Sequence, residues 1–200
     1  MTTEQYLDLL DLSYMAHHAK KESRAIEGTD LHALASTYIN SIMRGDGLME
    51  ADDPHEFDKL IPFISWCNKN VKRFLFSEIH CFSERLHVGG KTDFGYESNA
   101  GEYVLADIKS RDKMYFSDFV QCGAYDLQIQ ENQGLDKDGN VVWDNVSKNS
   151  GNALNFNAHA IFGLGENFKE PVISRETEKN RQAFENCVSL YKLKNEFENK

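Results

Sequence analysis

An α/β fold, with a mixed central β-sheet flanked by helices, is what this sequence predicts. Helix-like and strand-like periods follow one another in the order helices, three strands, a helix, two short strands, a helix, which folds as a sheet covered by helices. The 200 residues, 40% hydrophobic and 27% charged, suit one domain with a sizeable core. No internal repeat and no interdomain linker breaks them up.

Residues 4–24 place Tyr6, Leu9, Leu10, Tyr14 and Met15 on one side, at helical spacing. Gly28-Thr29 interrupts that pattern, and Thr29 is a natural N-cap for a second helix over 30–44. Its apolar stripe is Leu31, Leu34, Ala35, Tyr38, Ile39, Ile42 and Met43, and Gly45-Asp46-Gly47 ends it. A third helix covers 55–73, with Phe57, Leu60, Ile61, Ile64 and Val71 inward. Residues 1–73 thus form an N-terminal helical part and 74–198 the core. Strands are expected over 74–82, 87–96 and 102–110, rich in β-branched and aromatic residues. A helix over 117–130 turns Phe119, Val120, Ala124 and Leu127 to one side. The Gly/Asn/Asp-rich stretch 134–157 reads as loop around a small hairpin candidate at Val141-Val142-Trp143. Short strands follow over 158–162 and 171–174. The last helix, 177–198, is expected to bury Phe184, Cys187, Val188 and Tyr191.

Composition excludes some functions. No apolar run approaches the roughly 18 residues of a membrane span, and Met1-Thr2-Thr3-Glu4-Gln5 lacks the basic, apolar start of a signal peptide. A soluble, non-secreted protein with no membrane partner is expected. Cys67, Cys81, Cys122 and Cys187 form no C-x-x-C pair, so no zinc knuckle or iron–sulfur cluster is predicted and buried reduced thiols are. A net charge of −10 argues against nucleic-acid binding by bulk attraction. It leaves open a nucleic-acid enzyme whose bound metal or local basic patch dominates near the site. Lys20-Lys21 with Arg24, and Lys69, Lys72 and Arg73, are candidate patches that read better as solvated helix surface.

The 89–109 stretch is the richest in chemistry. It reads Gly89-Gly90-Lys91-Thr92-Asp93-Phe94-Gly95, a Gly/Asn turn, then Tyr103-Val104-Leu105-Ala106-Asp107-Ile108-Lys109. In a strand, residues two apart share a face, so Asp107 and Lys109 project side by side while Ile108 faces the core. If the two runs pair as a hairpin, Asp93 can approach Asp107. Two carboxylates and an ammonium on a sheet suit Mg²⁺ with a phosphate beside it. Asp107 also sits in the apolar run Val-Leu-Ala-Asp-Ile, where an acid is costly unless paired or metal-bound.

Four blocks occur in order: Gly28-Thr29-x-x-His32, Gly89-Gly90-x-x-Asp93, Asp107-Ile108-Lys109 and Gln121-x-x-x-Tyr125. Together they resemble the PD-(D/E)XK nuclease superfamily in its RecB-type branch, which includes phage exonucleases and CRISPR-adaptation nucleases. The resemblance spans about residues 28–191. It implies a restriction-endonuclease-like core and a metal-dependent DNase, most readily an exonuclease in DNA recombination, repair or phage DNA processing. It implies one or two Mg²⁺ or Mn²⁺ ions held by His32, Asp93, Asp107 and the Ile108 carbonyl, with Lys109 beside the attacking water. His32, in the first turn of its helix, would be kept neutral by the helix N-terminus. Glu78 resembles the acid before the hairpin and would support the site through Lys109 or a second metal, with Glu84 its rival. Gln121 and Tyr125, four apart on one helix face, would touch the DNA backbone or the lysine. Lys91 departs from the family pattern and adds a phosphate contact.

The partners implied are DNA and a separate recombinase, single-strand-binding or helicase protein, in the cytoplasm of a bacterial or phage-infected cell. A structure-dependent endonuclease, a non-catalytic DNA-binding or assembly module, and a small-molecule phosphoesterase are the rivals. Asp136-Lys137-Asp138-Gly139-Asn140 lacks the glycine position and the bidentate Glu of a calcium loop and reads as a turn; His17-His18 reads as surface.

Overall fold

The computed structural model describes residues 21–46, 54–143, 155–164, 168 and 170–198. Most of the helix expected over 4–24, His17-His18, most of the stretch after Trp143 and part of the first basic patch lie outside them. Helix α1 (Lys21–Arg44) and α2 (Pro54–Asn70) precede β1 (Val71–Ser83), β2 (Val88–Ser98) and β3 (Tyr103–Lys109). Then come α3 (Phe116–Glu131), β4 (Gly134–Leu135), β5 (Val141–Trp143), β6 (Ala158–Gly163), β7 (Val172–Ser174) and α4 (Thr177–Glu198). The seven strands form one mixed sheet in the order β5-β4-β1-β2-β3-β6-β7. The β1–β2 and β2–β3 pairs are antiparallel hairpins, and β3–β6 is parallel. A parallel pair needs a long crossover, and α3 lies within it.

Period-two alternation splits the core between the faces of the sheet. Val104, Ala106 and Ile108 of β3, with Phe94 and Tyr96 of β2, pack under Leu31, Ala35, Tyr38 and Ile39 of α1 and Leu60, Phe63 and Cys67 of α2. Edge-to-face rings lock this layer: Phe63 meets Phe162 at 5.4 Å and Phe94 at 6.0 Å. Leu105 and Ile161 point the other way and pack with Phe76, Ile79 and Cys81 against Cys122 and Ile129 of α3. The α/β class is as expected, and so is a hairpin at 141–143, but it pairs β5 with β4, a strand in the stretch read as loop, so four strands and not two follow α3.

Several local expectations are corrected. Gly28-Thr29 does not break the first helix: α1 runs through it from Lys21, so Thr29 is no N-cap and His32 is not in a first turn. A mid-helix glycine costs only about 1 kcal/mol, which tertiary packing of the following turns offsets. Helix α2 stops at Asn70, and Val71 opens β1 instead of closing the helix. Ile42, Met43 and Ile61 are exposed, while Phe63, in none of the expected stripes, is fully buried. In α4, Cys187 and Tyr191 are exposed, with Tyr191 at 65%. Lys72 and Arg73 lie on β1, not on a helix, and share one carboxylate, Glu97, each at 2.6 Å. Among the described residues, no helix is long and apolar enough to cross a membrane.

Candidate active site

The hairpin register builds the site. Phe94 pairs with Ala106 and Gly95 with Leu105, so one further step sets Asp93 opposite Asp107. There the ladder gives way to a side chain: Asp93 Oδ2 accepts a hydrogen bond from the Ile108 amide at 2.6 Å. The carbonyls of Tyr103 and Lys109 accept from Asn157 and Leu164, on the β6 side. Carbonyls alternate along a strand, so the Ile108 carbonyl points to the β2 side, where Asp93 sits.

Asp107 is 3% exposed, and its Oδ2 lies 2.7 Å from Lys109 Nζ. The contact is an ion pair by distance, yet its angles leave this buried oxygen without an aligned hydrogen bond among the described residues. Burial, then the charge of Asp93, push the Asp107 carboxyl up to about 7, against the opposing pull of Lys109. Lys109 also donates to Gln121 Oε1 at 2.8 Å, and Gln121 Nε2 donates to the Tyr125 hydroxyl at 2.7 Å. Gln121 therefore touches the lysine, and Tyr125 holds Gln121 from behind it on α3. Burial pushes the Tyr125 phenol well above its ordinary range, keeping it neutral. Gly90 permits this arrangement: a Cβ there would lie 2.5 Å from the Tyr125 ring.

His32 reaches the site from mid-α1, with Nδ1 3.5 Å from Asp93 Oδ1. The expectation of a helix end keeping it neutral fails with the helix start. Burial of the ring lowers its pKa, but the hydrogen bond and charge of Asp93, then the charge of Asp107, outweigh that and raise it. Glu78 lies across β1 from Asp93, because Ser77 pairs with Phe94 and Ile79 with Thr92. Its partner is Lys91 Nζ at 3.0 Å, not Lys109, in a pair open to solvent. Glu78 holds φ +51°, the left-handed region that side chains rarely adopt. Glu84, its rival, is exposed in the turn after β1.

His32, Ser36, Glu78, Asp93 and Ile108 line one shallow concavity. Ser36 went unnoticed in the sequence. It stands one turn after His32 on the same helix face and shares a hydrogen bond with Ser77 of β1 at 3.2 Å. That i,i+4 spacing was the available signal. Asp136 accepts bonds from the amides of Asp138 and Asn140, and Gly139 holds φ +83°, so 136–140 is a turn closed on itself.

The donors at this rim are two carboxylates, a backbone carbonyl and an imidazole, a set that suits a hard divalent cation. The buried Asp107 oxygen without an aligned hydrogen bond supports that fit. As placed, no three described His, Cys, Asp and Glu side chains close a metal shell; Asp107 turns to Lys109, and Asp93 to Ile108 and His32. No protein-family model matches the chain, and no curated protein matches it.

Proposed function

We propose that this chain is a metal-dependent deoxyribonuclease that hydrolyses phosphodiester bonds, with exonuclease action in DNA recombination, repair or phage DNA processing as its role. One observation carries the reading. Asp107, buried at the end of β3, faces Lys109, Asp93 lies opposite on β2, and His32 reaches in from α1. On this reading the core is restriction-endonuclease-like, and His32, Asp93, Asp107 and the Ile108 carbonyl would hold Mg²⁺ or Mn²⁺. A divalent ion there would acidify a water and offset phosphate charge.

The chain's own residues do the rest. Lys109 is held from two sides, by Asp107 at 2.7 Å and Gln121 at 2.8 Å, so its ammonium is fixed at the rim. From there it orients a water toward the phosphorus and stabilises charge building on the phosphate oxygens. Tyr125 fixes the amide of Gln121, which spares the lysine any search among rotamers. Lys91, exposed beside Glu78, offers its charge to a phosphate.

The test uses linear DNA labelled separately at its 5′ and 3′ ends, single- and double-stranded, with Mg²⁺, Mn²⁺ or EDTA. Metal-dependent degradation by the wild type, lost in Lys109→Ala and Asp107→Ala, is the expected result. Absence of cleavage of every DNA by folded protein overturns the reading and favours a binding module.

A further inference from the structure

The segment between β3 and α3 carries chemistry that the proposed reaction does not use. Residues 110–115 leave the carboxyl end of β3 directly after Lys109 and cap the rim where β3 and its parallel neighbour β6 both end. The segment is tightly built. Arg111 makes two bonds to Asp118, at 2.6 and 3.0 Å, and its NH1 also donates to the Lys113 carbonyl. The Tyr115 amide donates to Asp118 at 2.8 Å, which satisfies a free donor at the start of α3. Met114 packs into the α3-side core.

This rigid segment presents two rings to solvent. Phe116 is 68% exposed and Tyr115 is 43% exposed. The Tyr115 ring carries two cations, with Arg111 Cζ 4.8 Å and Lys113 Nζ 5.0 Å from its centroid. Among the described residues Lys113 has no carboxylate partner within ion-pair distance. Phe116 has no such cover, and with Tyr115 it makes two consecutive exposed rings on a fixed scaffold.

We propose that Phe116 is a stacking platform for an unpaired base of single-stranded DNA, with Lys113, held on Tyr115, meeting an adjoining phosphate. The occupant follows from the pairing of chemistries. A bare ring that follows in the chain a ring carrying an unpaired lysine matches the alternation of base and phosphate along a single strand. A duplex hides its base faces, and an apolar protein surface would leave Lys113 without a counter-charge, Arg111 being already paired with Asp118. Along the chain Phe116 lies seven residues after Lys109 and opens α3, the helix whose Gln121 contacts that lysine. The proposal rests on the nuclease reading only for the placement of a scissile phosphate beside Lys109.

Anisotropy of fluorescein-labelled oligodeoxythymidine and of a blunt duplex, titrated with the full chain in EDTA, tests it. Wild type is expected to favour the single strand, and Phe116→Ala to weaken that binding about tenfold. Phe116→Trp should retain affinity, with its new indole emission quenched by the DNA. Lys113→Ala should weaken binding and flatten its salt dependence by about one counterion. Unchanged single-strand binding in Phe116→Ala, or equal wild-type affinity for the blunt duplex, overturns the platform. If Mg²⁺-dependent cleavage persists in that case, the nuclease reading survives alone. Phe116-dependent binding without cleavage by any metal sustains the platform and removes the nuclease. Neither binding nor cleavage removes both.

Discussion

Asp107 carries the largest electrostatic cost at the site, and Lys109 is what makes that cost tolerable. Burial and the Asp93 charge raise the Asp107 pKa from 3.8 to about 7, so the folded chain holds this proton more tightly than the unfolded chain. Its contribution to stability is therefore fullest at acid pH and erodes as pH rises between those values. Lys109→Met removes the opposing cation and deepens that erosion. Unfolding free energies from urea denaturation in EDTA should match wild type near pH 5 and fall short of it by about 1 kcal/mol near pH 8, because the variant keeps the Asp107 proton that wild type sheds above about 7. A pH-independent difference would remove the ion pair from the account. Glu78 stores a different cost. A side chain at φ +51° is strained by about 1–2 kcal/mol, and the exposed Lys91 pair returns little of it. Glu78→Gly should therefore be about 1 kcal/mol more stable than Glu78→Ala, read from melting temperatures, while both lose cleavage if Glu78 serves the site. Asp93, Asp107 and Lys109 were legible in the sequence because strand period and hairpin register fix where they point. The Glu78–Lys91 pairing was not, since it depends on a backbone conformation that no local motif encodes.

The helix boundaries show which local signals survive tertiary packing. The limits of α4 agree with the sequence, yet the face that docks it was misread. Cys187 and Tyr191 followed a helical stripe, but the helix is held at its other end by a buried polar network. His159, fully buried on β6, meets Asp126 of α3 at 3.0 Å and accepts at Nδ1 from Asn180 at 2.9 Å; Arg181 adds a 2.6 Å bond to Asp126. Such a network joins residues 126, 159 and 180, whose proximity no periodicity reveals. The two helices touch closely at Gly123, where a Cβ would lie 2.4 Å from the Asn180 carbonyl carbon and oxygen. Gly123→Ala must therefore push the start of α4 outward and pull the network apart. Its expected cost is about 3 kcal/mol in urea denaturation, the upper end for overpacking, with amide exchange in α4 accelerating most. Unchanged exchange there would show that α4 docks without this contact.

At the scale of the molecule, the order of periods was enough to foresee a helix-covered mixed sheet, because each period fixes which face of an element is apolar. The strand order was not foreseeable. β4, β5 and β7 are two or three residues long and owe their places to neighbours far along the chain. The layers also sort the four thiols. Cys67 lies in the layer under α1 and α2, Cys81 and Cys122 lie between the sheet and α3, and Cys187 sits on the open side of α4. Burial pushes all three buried thiols up, Cys81 to about 12, so these three are neutral and shielded at neutral pH. Ellman's reagent should therefore titrate one thiol per chain quickly in the native protein, none in Cys187→Ser, and four after unfolding in guanidinium. Since thiolate fraction and access act together, a second fast thiol could arise only by separation of a helix layer from the sheet. Its identity would name the layer that opens: Cys67 for α1 and α2, Cys81 or Cys122 for α3.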